Sequence, residues 1–406
     1  MLIEFRVWNF KSFKEEAVFP MTNVKSFKEL EDTNLISTNR EFSLLKSAAI
    51  FGGNGSGKSN FIYAMNTMGS IVFGSFGNSL LQEQDRPSQN YQFALNTSTE
   101  SAETGYEVSI LIGSEIYRYG FEINGYEIVS EWLFRKKERE VNLFSRSRNN
   151  KFEINTESFK EGLKFKSEVN QNVLFISHLS QNNQEISKRI HQWFLTMNVI
   201  SGLHEKYYEK FTAALLKQNK NFKNWATEVM KFLEISNIEA GEHEGEIVTY
   251  HNKFDENGLF VESIPFKAKD ESEGTKKLVH ILGPIYDSLT NGKILFIDEL
   301  DSKLHPNLSK GLIKLFHEFN LNNAQIIFSA QDSSLLNKDI FRRDQIWFAE
   351  KDQFGASTLY PLSDFSSSAV RNTSAFDKKY LKNEFGSASP LQITEKIKEL
   401  LYEPAR

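Results

Sequence analysis

The residues with the clearest chemistry lie between Ala48 and Met65, in "AAIFGGNGSGKSNFIYAM". Gly52, Gly57, Lys58 and Ser59 satisfy the spacing G-x-x-x-x-G-K-[ST]. Glycines let backbone N–H groups curl around phosphate oxygens without a Cβ in the way. A helix starting directly after the loop points its unpaired N–H groups and positive dipole end at the same phosphates. Lys58 is long enough to reach a β- or γ-phosphate, and the Ser59 hydroxyl can join a Mg²⁺ shell. Asn54, Gly55, Ser56 and Asn60 complete the expected cradle. A second acidic site follows the apolar run in "ILFIDELD". There Asp298 is placed to hold Mg²⁺, and Glu299 to orient and deprotonate an attacking water.

These sites need a buried sheet to carry them. "LLKSAAIF" (44–51), "GKILFIDEL" (292–300) and "AQIIFSAQD" (324–332) read as strands covered on both faces. The first segment, with Leu2, Ile3, Phe5, Val7 and Phe10, reads as an opening strand, and "DQIWFAEKD" with "STLYPLSDF" as a closing hairpin. From Gly105 to Phe152, strand-like runs separated by Gly-Ser, Asn-Gly and Asn-Asn predict an antiparallel β-lobe. From about 157 to 236, "EISKRIHQWFLTMNVI" and "NFKNWATEVMKFLEI" carry helical spacing. A strand pair near 246–266 and a helix starting at about Ser272 follow. Lys58 and Asp298 are 240 positions apart, so both lobes are inserted into the core. The expected division is 1–156, the first half of the head; 157–245, a helical lobe; and 246–406, the second half. The fold class is α/β.

Composition narrows the setting. The chain has 406 residues and a net charge of −5, too mild to indicate nucleic acid in general. It has no cysteine, which excludes disulfides, thiolate zinc sites and cysteine nucleophiles. No apolar run approaches a membrane span, and the N-terminus has no secretory h-region, so a cytoplasmic protein is expected. The eight histidines show no metal spacing. Arg135, Lys136, Lys137, Arg139, Arg146, Arg148 and Lys151 form a basic cluster, read as a solvated hairpin rather than a nucleic-acid patch.

The motifs together resemble ABC-type ATPases of the SMC, RecF-like and overcoming-lysogenisation-defect groups. The resemblance rests on the phosphate loop, "ILFIDELD", Ser272-Glu273-Gly274-Thr275 as a signature motif, "LDSKLHP" as a D-loop, and "FRVWNFKSF" as the N-terminal element. The C-terminal "RRDQIWFAEKD" and "YLKNEFG" are similar to the RloA-like and AbiL-like ATPases of anti-phage loci. The resemblance implies ATP and Mg²⁺ as ligands, and a homodimer in which Ser272 and Gly274 complete the partner's ATP site, with a higher oligomer allowed. It further implies an effector partner, nuclease or toxin, since no room remains after Gln331 for a nuclease domain. A RecF-like DNA-binding repair ATPase is the alternative. One departure stands out: Gln331 occupies the position of the usual switch histidine. An amide can hydrogen-bond but carries no titratable proton, so slow hydrolysis is expected. The glutamine-loop contact falls to Gln89 or Gln92, and His305 is expected to pack or hydrogen-bond within the D-loop turn.

Overall fold

Ser47–Phe51 is buried along its whole length because it lies inside a six-stranded sheet of the computed structural model. The structure describes residues 1–82, 90–201, 205–365, 375–387, 394 and 396–397. The strand order is Met197–Ile200, Ile294–Ile297, Gln325–Ser329, Ser47–Phe51, Ile346–Lys351, Ser357–Pro361. The first five are parallel and the last returns antiparallel as a hairpin. Alternate residues serve opposite faces. Ala48 and Ile50 share a core with Phe61, Met65 and Met68 of the helix Lys58–Ser79. Ala49 and Phe51 share the other core with Leu278, Leu282, Leu312 and Phe316, on the helices Glu273–Asn291 and Pro306–Glu318. This double cover explains the unbroken apolar runs.

The β-lobe is a seven-stranded antiparallel sheet. Leu2–Trp8 and Ala17–Pro20 join the five strands expected between Thr104 and Ile154. Its inner face packs on the first core with the phosphate-loop helix. A three-stranded antiparallel sheet, Ile235–Ala240, Ile247–Phe254 and Phe260–Lys267, leads into the helix Glu273–Asn291.

Two expectations are corrected. The helical reading of Glu185 to Ile200 ends early: the helix stops at Phe194, and Met197–Ile200 pairs parallel with Ile294–Ile297. Val199 and Ile200 are β-branched and buried there, which favours the extended form once a sheet edge is available. The single strand expected over Leu44 to Phe51 is two. Leu44–Leu45 pairs with Leu35–Ile36, and Lys46 turns out to donate to the His317 carbonyl at 2.7 Å.

Strand order positions the chemistry. Gln325–Ser329 lies between the strand of the phosphate loop and the strand of Asp298. All three run in one direction, so their carboxyl ends meet along a single edge, where open α/β sheets bind ligands.

Candidate functional site

The phosphate loop leaves its strand through Gly52 and Gly57, both at positive φ and both crowded where a Cβ would stand. A Cβ on Gly52 would lie 2.4 Å from the Ala349 carbonyl oxygen. Gly57 caps the helix Lys58–Ser79 at φ 109°, and a Cβ there would lie 2.4 Å from Ser357 Oγ. Asn54, Gly55 and Ser59 are exposed at the mouth of the loop, whereas Ser56 is buried and its hydroxyl has no partner. The Lys58 ammonium is buried and donates to the carbonyls of Gly52 at 2.6 Å and Gly53 at 3.0 Å. Burial lowers the pKa of Lys58, opposed by the charges of Asp298, Glu299 and Asp301. Those three acids therefore share one electrostatic neighbourhood with the lysine.

The acids are locked to the middle strand. Ser329 ends the strand Gln325–Ser329 and is fully buried. Its hydroxyl donates to Asp298 Oδ1 at 2.5 Å and accepts the Glu299 N–H at 2.7 Å. Glu299 sits at φ 53°, a left-handed backbone that costs a non-glycine residue energy and is found where surroundings enforce it. Gln331 reaches across: its Nε2 donates to Glu299 Oε1 at 2.9 Å. The backbone N–H groups of Gln331 and Asp332 both donate to Asp301 Oδ2. Lys58, Asp298, Glu299 and Gln331 thus lie at the carboxyl edge of the parallel strands.

A known family matches residues 47–337, well over half of the chain, and is described as "AAA domain, putative AbiEii toxin, Type IV TA system". The chain belongs to this family. The matched span holds both the phosphate loop and the acids it faces, and the chain has the α/β P-loop ATPase fold, which implies nucleotide binding. Similar solved structures include the SMC head domain from Thermotoga maritima, 15% identical with a TM-score of 0.42, covering 89% of this chain and 98% of that one. An Smc head domain with an extended coiled coil, bound to the C-terminal domain of ScpA derived from Pyrococcus furiosus, is 13% identical with a TM-score of 0.39, covering 89% and 96%. No protein of curated function matches. Among the described residues, no helix is long and apolar enough to cross a membrane.

The family span also contains the signature-like residues, which make a separate group. Ser272 caps the helix Glu273–Asn291, its hydroxyl accepting from the Thr275 N–H at 3.2 Å. Ser272 remains exposed. Gly274 packs directly on the D-loop turn, where a Cβ would lie 2.6 Å from the Lys303 carbonyl oxygen. Glu273 pairs with Lys276 and Lys303, which pull its pKa down to about 2. Lys277 donates to the Glu299 carbonyl. The bonds of Ser272 and Glu273 go to their own helix and to the D-loop turn, not to the phosphate loop of the same chain.

The remaining candidates sort out as follows. Asn60 donates from Nδ2 to Ser12 Oγ at 2.8 Å, tying the helix to the "NFKSF" turn. The Tyr91 carbonyl accepts from Lys11 N–H, and Phe93 N–H donates to Asn9 Oδ1 at 3.0 Å, which holds Gln92 against that turn. Gln89 lies outside the described residues. His305 caps the helix Pro306–Glu318 through Nδ1. Arg146 does not belong to the basic surface. It is buried with Glu131, and it also donates to the carbonyls of Val173, Asn170 and Gln171. Arg148 and Lys137 pair with Glu103 and Glu115. Ser329 was the residue sequence reasoning missed. Its one signal was position, the last residue of an apolar strand that precedes Gln331 by two.

Proposed function

We propose that this protein binds ATP with Mg²⁺, hydrolyses it slowly, and works as an ATP-closed dimer that acts as the sensor of an abortive-infection system. The observation that carries the catalytic half is the hydrogen bond between Gln331 and Glu299, on the same edge as Lys58 and Asp298. The defence context is supported by the family description, which names a toxin and a toxin–antitoxin system. It agrees with the resemblance of the C-terminal segment to RloA-like and AbiL-like ATPases.

The residues fit the ligands. The cradle has no room for a side chain at Gly52 or Gly57, and the buried Ser56 hydroxyl has no partner of its own. The Lys58 ammonium rests on two loop carbonyls, ready to exchange them for phosphate oxygens. Ser59 and Asp298 would hold Mg²⁺, which when bound neutralises charge on the transferring phosphate. Glu299 takes the proton from the water that attacks the γ-phosphate, giving ADP and inorganic phosphate. Gln331 orients Glu299 through its amide but cannot carry a proton itself, which is the reason for slow turnover. Ser272 and Gly274 of one subunit would complete the ATP site of the other. The partner protein would be a nuclease or toxin, held or released with the ATP state.

The test is to measure ATP binding and phosphate release by the purified chain, and to purify it tagged from cells carrying its neighbouring genes. Nucleotide binding, slow release and a co-purifying effector are expected. No binding would overturn the nucleotide reading. Turnover stimulated by DNA, with affinity falling steeply with salt, would replace the sensor by a DNA-binding ATPase.

A further inference from the structure

The C-terminal stretch Phe376–Ser387, which contains the "YLKNEFG" segment, lies against the first half of the phosphate loop. The Ser387 carbonyl accepts the Gly53 N–H at 2.7 Å, and Ser387 is buried. Tyr380 is buried beside the strand that leads into the loop. Its ring packs at 6.2 Å from Phe51 and stacks at 5.9 Å on Phe348, the strand neighbour of the loop. The turn that delivers Ser387 is itself anchored. Tyr360 Oη donates to the Phe385 carbonyl at 2.6 Å, and Phe385 stacks on Phe348 at 5.0 Å. Gly386 makes that turn at φ 80°, where a side chain would meet Glu350 and Tyr360.

Burial raises the pKa of the Tyr380 hydroxyl, and the charge of the Asp301 carboxylate adds to the rise. Asp301 holds the backbone of Gln331 and Asp332 through Oδ2, while its Oδ1 is buried without a partner.

We infer that Phe376–Ser387 is a strap that sets the nucleotide affinity of the phosphate loop, with the Tyr380 ring, packed on Phe51 and Phe348, as a positioning residue for the Ser387–Gly53 bond. The inference rests on the ATP-binding reading of that loop. A glycine-rich loop has many conformations to lose on binding. A bond to the Gly53 N–H removes part of that cost in advance, so the strap preorganises the cradle without touching the phosphates. Coupling of this kind is reciprocal: what the strap does for the nucleotide, the nucleotide must do for the strap.

The experiment is amide hydrogen exchange on the intact wild-type chain, with and without the slowly hydrolysed analogue ATPγS. It is paired with binding of a fluorescent ATP analogue to wild type, Tyr380→Ala and Gly386→Val. Exchange in 376–387 should slow several-fold with nucleotide. Both variants should bind about tenfold more weakly, with unfolding temperatures measured without nucleotide reported beside them. Protection confined to the loop and to 298–301, with 376–387 unchanged, would overturn the strap. So would variants that melt earlier but bind as tightly as wild type, since that is plain packing. Wild-type protein that binds no nucleotide would instead sink the reading of the phosphate loop, a distinguishable failure.

Discussion

Replacing Ser329 with alanine should damage turnover while sparing nucleotide binding. The Ser329 hydroxyl gives Asp298 a hydrogen bond of 2.5 Å and takes the Glu299 N–H at 2.7 Å, from a fully buried position. A hydrogen bond to a charged group contributes about 1.5–3 kcal/mol. Its loss also releases the left-handed backbone of Glu299, whose φ of 53° costs on the order of 1 kcal/mol or more and needs enforcement. If only the first sum is lost from the transition state, kcat falls about 10- to 150-fold. The phosphate loop is untouched, so ATP affinity should stay within about threefold. The assay is steady-state phosphate release with titration of a fluorescent ATP analogue, and a thermal melt of the variant as control. Ser329→Thr keeps the hydroxyl and should recover part of the loss. A Ser329→Ala enzyme with kcat within twofold of wild type would refute the argument, as would a loss found entirely in ATP affinity.

Lys58→Ala should abolish nucleotide binding, because the only long cation of the loop is removed; calorimetry showing unchanged ATP affinity would sink the assignment. Stability should fall with acid through His317. Burial and then Lys46 lower its pKa from 6.5 to about 3, so between those values the unfolded chain binds a proton the folded chain does not. That amounts to about 1.4 kcal/mol lost per pH unit below 6.5 from this group, with no contribution above it. Chemical denaturation of wild type and His317→Gln from pH 7 to 5 should show the shallower slope in the variant. Arg146→Met should cost about 3–5 kcal/mol, because it strands the buried Glu131 carboxylate; a urea midpoint near that of wild type would count against this.

What could be read in advance follows from how local each signal is. The strand and helix around the phosphate loop, the strand before Asp298 and the helix start at Ser272 are each written within a short window, and the structure forms these elements there. The β-lobe strands were legible because their turns carry Gly and Asn at the breaks. Met197–Ile200 was not, since four residues after a helix extend its periodicity and only pairing with Ile294–Ile297 marks them as a strand. Arg146 looked like its basic neighbours, and its burial depends on Glu131 and on carbonyls of 170–173 that no short window contains. Ser329 carries no signal beyond its position at the end of an apolar strand. Its bonds to Asp298 and Glu299 arise only once strand order sets Gln325–Ser329 beside Ile294–Ile297.

The most direct measurement is the mass of purified Glu299→Gln protein by light scattering, with and without Mg-ATP. Removing the general base should leave binding intact and cut turnover about 10²-fold or more, trapping the ATP-bound form. A doubling of mass on ATP addition is the predicted result, with Ser272 of each subunit closing the site of the other, and Ser272→Arg should prevent it. A monomer in both conditions, in protein shown to bind ATP, would contradict the composite site and with it the ATP-closed dimer.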